Sequence, residues 1–198
     1  SGRASPRTIR FPYTACRWYA GCRHILAISA SPRRGGNSDV LCGEFLKGAA
    51  ESGHDVQKIR LAEKKIAPCL ACYACSESHI CVRRDDMADV LAAMKAADVI
   101  VLASPVYFYS VCAQMKTMID RCLADYLAIR NKTFYLIVTA ADPQHSAADE
   151  TLADLRGFLR CLPEAREGGV LLGTGTWDKG DVYRHPCLKQ AYEMGRSI

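Results

Sequence analysis

The feature that most constrains the fold is a series of short apolar runs, each followed by a helical stripe. From His24 onward, residues 25–28 form a β-rich run. Leu41, Phe45 and Ala49 then recur at helical spacing within residues 38–52, and Gly53 supplies the stop. Residues 55–61 read as a second strand. Asp85 or Asp86 is predicted to cap a helix striped by Met87, Val90, Leu91 and Met94. Residues 98–104, DVIVLAS, are continuously apolar, as a strand buried on both faces requires. Val111, Met115, Met118, Ile119 and Cys122 stripe a third helix, and residues 133–140 form another buried strand. Leu152, Leu155, Leu159 and Leu162 stripe a fourth helix, residues 169–172 a short last strand, and Leu188, Ala191 and Tyr192 a final helix.

Alternation of strand and helix predicts an α/β fold in which helices cover both faces of a parallel sheet. Right-handed crossovers leave few topologies, and five strands fit a doubly wound parallel sheet. Ligands of such sheets sit beyond the carboxyl ends of the strands. A chain of 198 residues suits one domain, assigned to 24–198, preceded by a basic extension or arm over 1–23.

Charge supports that division. Arg3, Arg7, Arg10, Arg17 and Arg23 fall in a stretch without acids, and setting them aside leaves 21 basic against 21 acidic residues. A phosphate-backbone surface would have to be the tail alone, so nucleic acid is not an expected partner. The tail also reads as a transit peptide or as an arm on a partner subunit, to which Phe11, Tyr13, Trp18 and Tyr19 would contribute. No apolar run reaches the length of a membrane span. Of eleven cysteines, Cys42, Cys112, Cys122 and Cys161 lie in apolar segments, as reduced thiols do, which predicts a cytoplasmic protein.

Two loops stand where chemistry is expected. Residues 29–39, SASPRRGGNSD, lead from the first strand into a helix N-terminus, where free N–H groups and the helix dipole favour an anion. Ser31, Asn37 and Ser38 add side-chain donors there, and Arg33 or Arg34 adds charge. A polar turn with a serine cap is the plainer alternative. No Lys follows the glycines, which argues against a nucleoside triphosphatase loop. Residues 104–110, SPVYFYS, place Pro105 and three aromatics at the end of the third strand, where they can edge a flat ring or cover the sheet edge. Together the loops predict a ligand combining phosphate with a flat ring. Residues 173–180, GTGTWDKG, depart from the dinucleotide pattern G-x-G-x-x-G because the third glycine comes two positions late.

Cys69, Cys72, Cys75 and Cys81 are spaced C-x2-C-x2-C-x5-C. Short spacers of this kind let a loop wrap an iron–sulfur cluster. Zinc is a second possible occupant, and free thiols or a disulfide are the third reading. His79 is read as a solvated loop residue.

In this order the segments ILAISASPRRGGNS, the cysteine loop with RRDDM, SPVYFYSVCAQMKTMIDR and AYEMGRSI resemble the flavodoxin-fold NADPH-dependent FMN reductases, and among them the iron–sulfur flavoproteins. The resemblance runs from about residue 25 to the C-terminus. It implies strand order 2-1-3-4-5 and a bound FMN, with Ser31, Arg33, Asn37 and Ser38 at the phosphate and Pro105, Val106, Tyr107 and Phe108 at the ring. It further implies NAD(P)H as electron donor, a homodimer or homotetramer, and one [4Fe–4S] cluster on the four cysteines, although such reductases also carry the motif without a cluster. A ferredoxin-like redox protein is an alternative electron donor. Relatives carry glycine in the loop after the fourth strand, whereas residues 139–147 here contain none. The flavin carries the redox chemistry, so no catalytic side chain is assigned. A non-enzymatic electron carrier and a metal-stabilised interaction module are the competing functions.

Overall fold

The computed structural model describes residues 21–198. The arm expected over 1–23, with its aromatic residues, therefore lies outside the described residues except for its last three positions.

The strands are β1 (His24–Ser29), β2 (Asp55–Arg60), β3 (Val99–Tyr107), β4 (Ser110–Val111), β5 (Thr133–Thr139) and β6 (Arg166–Gly173). The helices are α1 (Asn37–Glu51), α2 (Met87–Ala96), α3 (Ala113–Arg121), α4 (Asp149–Arg160) and α5 (Cys187–Arg196). The long strands pair in parallel in the order β2-β1-β3-β5-β6, while β4 turns back antiparallel on the end of β3. With that two-residue strand set aside, the order is the expected 2-1-3-4-5.

Side chains of the central strands alternate between two cores, as the pleat demands. Leu26, Ile28, Ile100, Leu102, Leu136 and Val138 face the side covered by α2, α3 and α4. Ile25, Ala27, Val99, Val101 and Ile137 face α1 and α5. Those two helices touch backbone to backbone at Gly48 and Gly195, where a Cβ would run into Tyr192 O and Phe45 O respectively.

Three local expectations are corrected. The third strand continues past residue 104 to Tyr107 and reverses through a two-residue hairpin, because Val106 and Tyr107 pair with Val111 and Ser110. Val111 consequently belongs to a strand and not to the third helix. Cys161 is exposed beyond the end of α4, whereas Cys42, Cys112 and Cys122 are buried as expected.

Candidate functional site

At the carboxyl end of β1 the chain leaves the sheet at Ser29 and enters α1 at Asn37, with Gly36 as the cap. The turn is tight: Ser31 Oγ accepts from Arg33 N–H at 3.3 Å, and a Cβ on Gly36 would come within 2.6 Å of that oxygen. The first helical bond runs from Val40 N–H to Gly36 O. Helix geometry therefore leaves the N–H groups of Asn37, Ser38 and Asp39 without intrahelical partners. Ser38 is 1% exposed, and its Oγ has no hydrogen-bond partner.

Asp39 would repel an anion if its charge stood alone. Its Oδ1 lies 2.8 Å from Lys58 Nζ and 3.2 Å from Arg60 Nε, and its Oδ2 accepts from Gly35 N–H at 2.9 Å. Burial pushes the carboxyl upward, but Lys58 and the Gly35 N–H outweigh it and hold the group below its ordinary value. The acid is thus a neutralised brace for the turn.

The end of β3 forms the opposite wall. Phe108 and Tyr109 occupy the hairpin turn at φ of 50° and 60°. Such turns favour Asn-Gly, because both central residues adopt left-handed backbone. Phe108 is fully exposed, and Tyr107 and Tyr109 are exposed beside it. Below the turn, Ser104 Oγ accepts from Cys112 N–H at 3.1 Å, and Cys112 Sγ donates to Ala30 O at 3.2 Å. These bonds tie the hairpin to the end of β1.

Ser31, Arg33, Asn37, Ser38, Pro105, Val106, Tyr107 and Phe108 all line one cavity of about 370 Å³ between these walls. Every residue expected at the flavin is therefore at the same place. Asn37 plays a different local part from the one expected. Its side-chain amide donates to Thr176 O and Asp178 O at 3.2 and 2.9 Å and accepts from Gly180 N–H at 3.0 Å. Only its backbone N–H remains for an anion.

Through those bonds Asn37 holds the loop after β6 against the cavity, which Thr176 and Trp177 line together with Thr139 and Ala141. Sequence reasoning missed Thr176 and Trp177, whereas Thr139 and Ala141 belong to residues 139–147, at the end of the fourth long strand, which the resemblance sets beside the flavin. The segment GTGTWDKG drew notice only as a poor dinucleotide pattern, and its position at the carboxyl end of β6 was the usable signal. The glycine-free loop after β5 still reaches the cavity through Thr139 and Ala141.

The cysteine loop connects β2 to α2, and none of its residues lines this cavity. Cys75 and Cys81 are half-buried against the core, and Cys69 is also half-buried. Cys72 is exposed. Ala71 and Tyr73 take left-handed backbone at φ of 51° and 55°, and Ala71 N–H donates to Cys69 Sγ at 3.4 Å. Among the described residues, no group of three or more Cys, His, Asp or Glu side chains converges where it could hold a metal ion. The four predicted ligands share this one loop, with Cys75 and Cys81 packed against the core. His79 is exposed, its Nδ1 3.9 Å from Asp125 Oδ1. Elsewhere burial pushes the Cys42 and Cys122 thiols up to about 12, so these core thiols are unreactive.

Residues 23–167 match the family described as NADPH-dependent FMN reductase, and the chain belongs to that family. Among curated relatives, an iron-sulfur flavoprotein of Methanocaldococcus jannaschii is 37% identical over 186 residues, covering 88% of this chain and 94% of the relative. An iron-sulfur flavoprotein of Methanosarcina thermophila is 38% identical over 112 residues, covering 57% of this chain and 56% of the relative. Of solved structures, Smu.1420 from Streptococcus mutans UA159 superposes with a TM-score of 0.71 at 16% identity, over 88% of this chain and all of that one. An NAD(P)H:quinone oxidoreductase from Methanothermobacter marburgensis superposes at 0.65 and 16% identity, over 89% of this chain and 96% of that one. Likeness at such identities establishes the flavodoxin-like fold.

Proposed function

We propose that the chain is an FMN-dependent oxidoreductase that takes electrons from NAD(P)H or a small redox protein and passes them to an acceptor. The observation that carries this reading is the convergence of all eight expected residues on one cavity at the carboxyl ends of β1 and β3. The residues fit the cofactor. An anion entering at α1 meets free N–H groups, the partnerless Ser38 hydroxyl and the Arg33 guanidinium. Pro105, Val106, Tyr107 and Phe108 supply one apolar wall for a flat ring, and Trp177 stands at the same cavity.

When bound, FMN supplies hydride or two-electron acceptance and one-electron release. The chain's own part is to anchor the phosphate at α1, hold the ring against the end of β3 and limit water at its face. Titration of flavin-free protein with FMN, followed by anaerobic addition of NADPH or NADH, tests the reading. One flavin per chain and bleaching by a nicotinamide are expected. Failure to bind FMN would refute it. Binding followed by reduction with ferredoxin alone would favour an electron carrier.

We further propose that the four-cysteine loop carries an iron–sulfur cluster, supported by the thiol spacing and by the iron-sulfur flavoprotein relatives. Iron and sulfide analysis of protein purified without oxygen tests this. Tightly bound zinc, or free thiols without metal, would overturn it. Assembly as a homodimer or homotetramer is part of the same proposal, and a monomer by light scattering would contradict it. A cytoplasmic setting is part of the same proposal, against which the disulfide at Cys22 counts, and no described helix is long and apolar enough to cross a membrane.

A further inference from the structure

Residues 68–84 carry all four loop thiols, yet little in their own backbone holds them in place. Ser76 N–H bonds Tyr73 O and His79 N–H bonds Cys75 O, and no strand or helix runs through the segment. Its two ends are tied far more firmly. Lys65 N–H donates to Asp86 Oδ2 at 2.7 Å, and Asp86 N–H donates to Lys65 O at 3.1 Å. One step further in, Asp85 Oδ2 accepts from Ala67 N–H at 3.1 Å, and Asp85 Oδ1 accepts from Met87 N–H at 3.2 Å.

Arg121, the last residue of α3, completes the closure. It is 2% exposed, donates in parallel to both Asp85 oxygens at 2.7 and 2.9 Å, and donates to Ala67 O at 2.6 Å. Its Nε has no hydrogen-bond partner in the protein, and Cys81 lines one further cavity together with Arg121. A buried bidentate pair is a poor source of net stability, because desolvation offsets most of the attraction. Its geometric precision is its distinctive property.

We propose that Asp85 and Arg121 are positioning residues that clasp the neck of the cysteine loop and set Cys81 against a fixed cation. Arg121 thus gives the loop a rigid reference in α3, whose other end follows the β3–β4 hairpin at the flavin cavity. The inference rests on the reading of this loop as a working thiol site, and it holds whether the occupant is a cluster or the thiols themselves.

The test compares wild type, Arg121→Lys and the apolar double variant Asp85→Leu/Arg121→Met. Metal-free protein is alkylated with N-ethylmaleimide and the modified cysteines are mapped by peptide, with exposed Cys161 as internal reference. Thermal unfolding and FMN titration monitor the rest of the fold. The double variant removes both charges, so no buried ion is left unpaired. Loss of the cation alone would slow Cys81 by lowering its thiolate fraction, so the expected outcome, a Cys81 that reacts about tenfold faster relative to Cys161, reports a freed local segment. FMN affinity should stay within about twofold, as for independent distant sites. Arg121→Lys keeps the charge but loses the fork, so Cys81 should react several-fold faster there. Anaerobic reconstitution with iron and sulfide should leave less iron per chain in both variants.

Unchanged Cys81 labelling in folded Arg121→Lys, where the cation is kept, overturns the proposal. Loss of FMN binding together with faster labelling also overturns it, since the pair would then support the whole fold. If the double variant does not fold, Arg121→Lys alone decides. Failure of the wild type to bind FMN refutes the flavin reading but leaves the labelling contrast intact.

Discussion

The flavin cavity and the cysteine loop offer a direct comparison. At the cavity, donors come from strand ends and a helix terminus, so the sheet ladder and α1 fix them without a ligand. In the loop, thiols hang on irregular backbone secured mainly at its neck by Asp85, Asp86 and Arg121. The cavity brings its expected residues together, whereas the loop does not bring three ligating side chains to one point. A site made from element termini inherits the rigidity of the fold. A site made within a long loop depends on anchors elsewhere in the chain or on its occupant.

Substitutions that strike one region and spare the other can break this comparison. A large effect is expected for Ser38→Asp. A carboxylate in the first turn favours the helix itself but opposes a phosphate at the same N–H groups. FMN affinity should fall by roughly a hundredfold or more, as expected for an unpaired like charge in a desolvated site. Labelling of the loop cysteines should not change. Parallel loss of both would show that the regions are not separate.

Acid should act on the loop neck. The hydrogen bonds from Arg121 hold the Asp85 carboxyl at about 2, below the ordinary value of 3.8, with burial opposing and the N–H groups of Ala67 and Met87 assisting. Because the folded value is depressed, the pair's contribution is fully present above the ordinary value and is lost as pH falls toward about 2. Relative to Asp85→Leu/Arg121→Met, wild type should lose on the order of 1 kcal/mol of stability between those limits, after allowance for screening by solvent. Equal acid sensitivity of the two proteins by urea unfolding would contradict this.

Asn37→Ala sharpens the picture of the cavity. It releases the loop bearing Thr176 and Trp177 and should weaken FMN by about tenfold, with a lesser loss of stability, as removal of a buried hydrogen-bonded partner does. Unaltered affinity would mean that this wall is not used. The smallest effect belongs to Phe108→Gly. Relief of left-handed backbone should stabilise flavin-free protein by about 1 kcal/mol, while removal of the ring weakens flavin binding. A purely destabilising outcome would show that the exposed ring has partners within the fold.

The central strands were legible because a strand buried on both faces must be apolar throughout, as 99–103 and 134–138 are. The cavity was legible from position, since the ends of β1 and β3 meet wherever this sheet order occurs. Trp177 and Thr176 were not, because their place depends on Asn37 holding a loop distant in sequence. The β4 hairpin escaped notice because Phe108-Tyr109 lacks the Asn-Gly signature of its turn. The Asp85–Arg121 clasp left no periodic trace, and Asp85 was legible only as a helix cap. It does accept from Met87 N–H, but its principal partner lies on another helix.

The most direct test of the central claim is an anaerobic titration of flavin-free protein with FMN, read by quenching of flavin fluorescence, in wild type and in Gly36→Val. A side chain at residue 36 would strike Ser31 Oγ and deform the anion turn. Saturation at one flavin per chain in wild type, with binding abolished in Gly36→Val, is the predicted result. Equal binding by both proteins, or none by wild type, would contradict the assignment of this cavity to FMN.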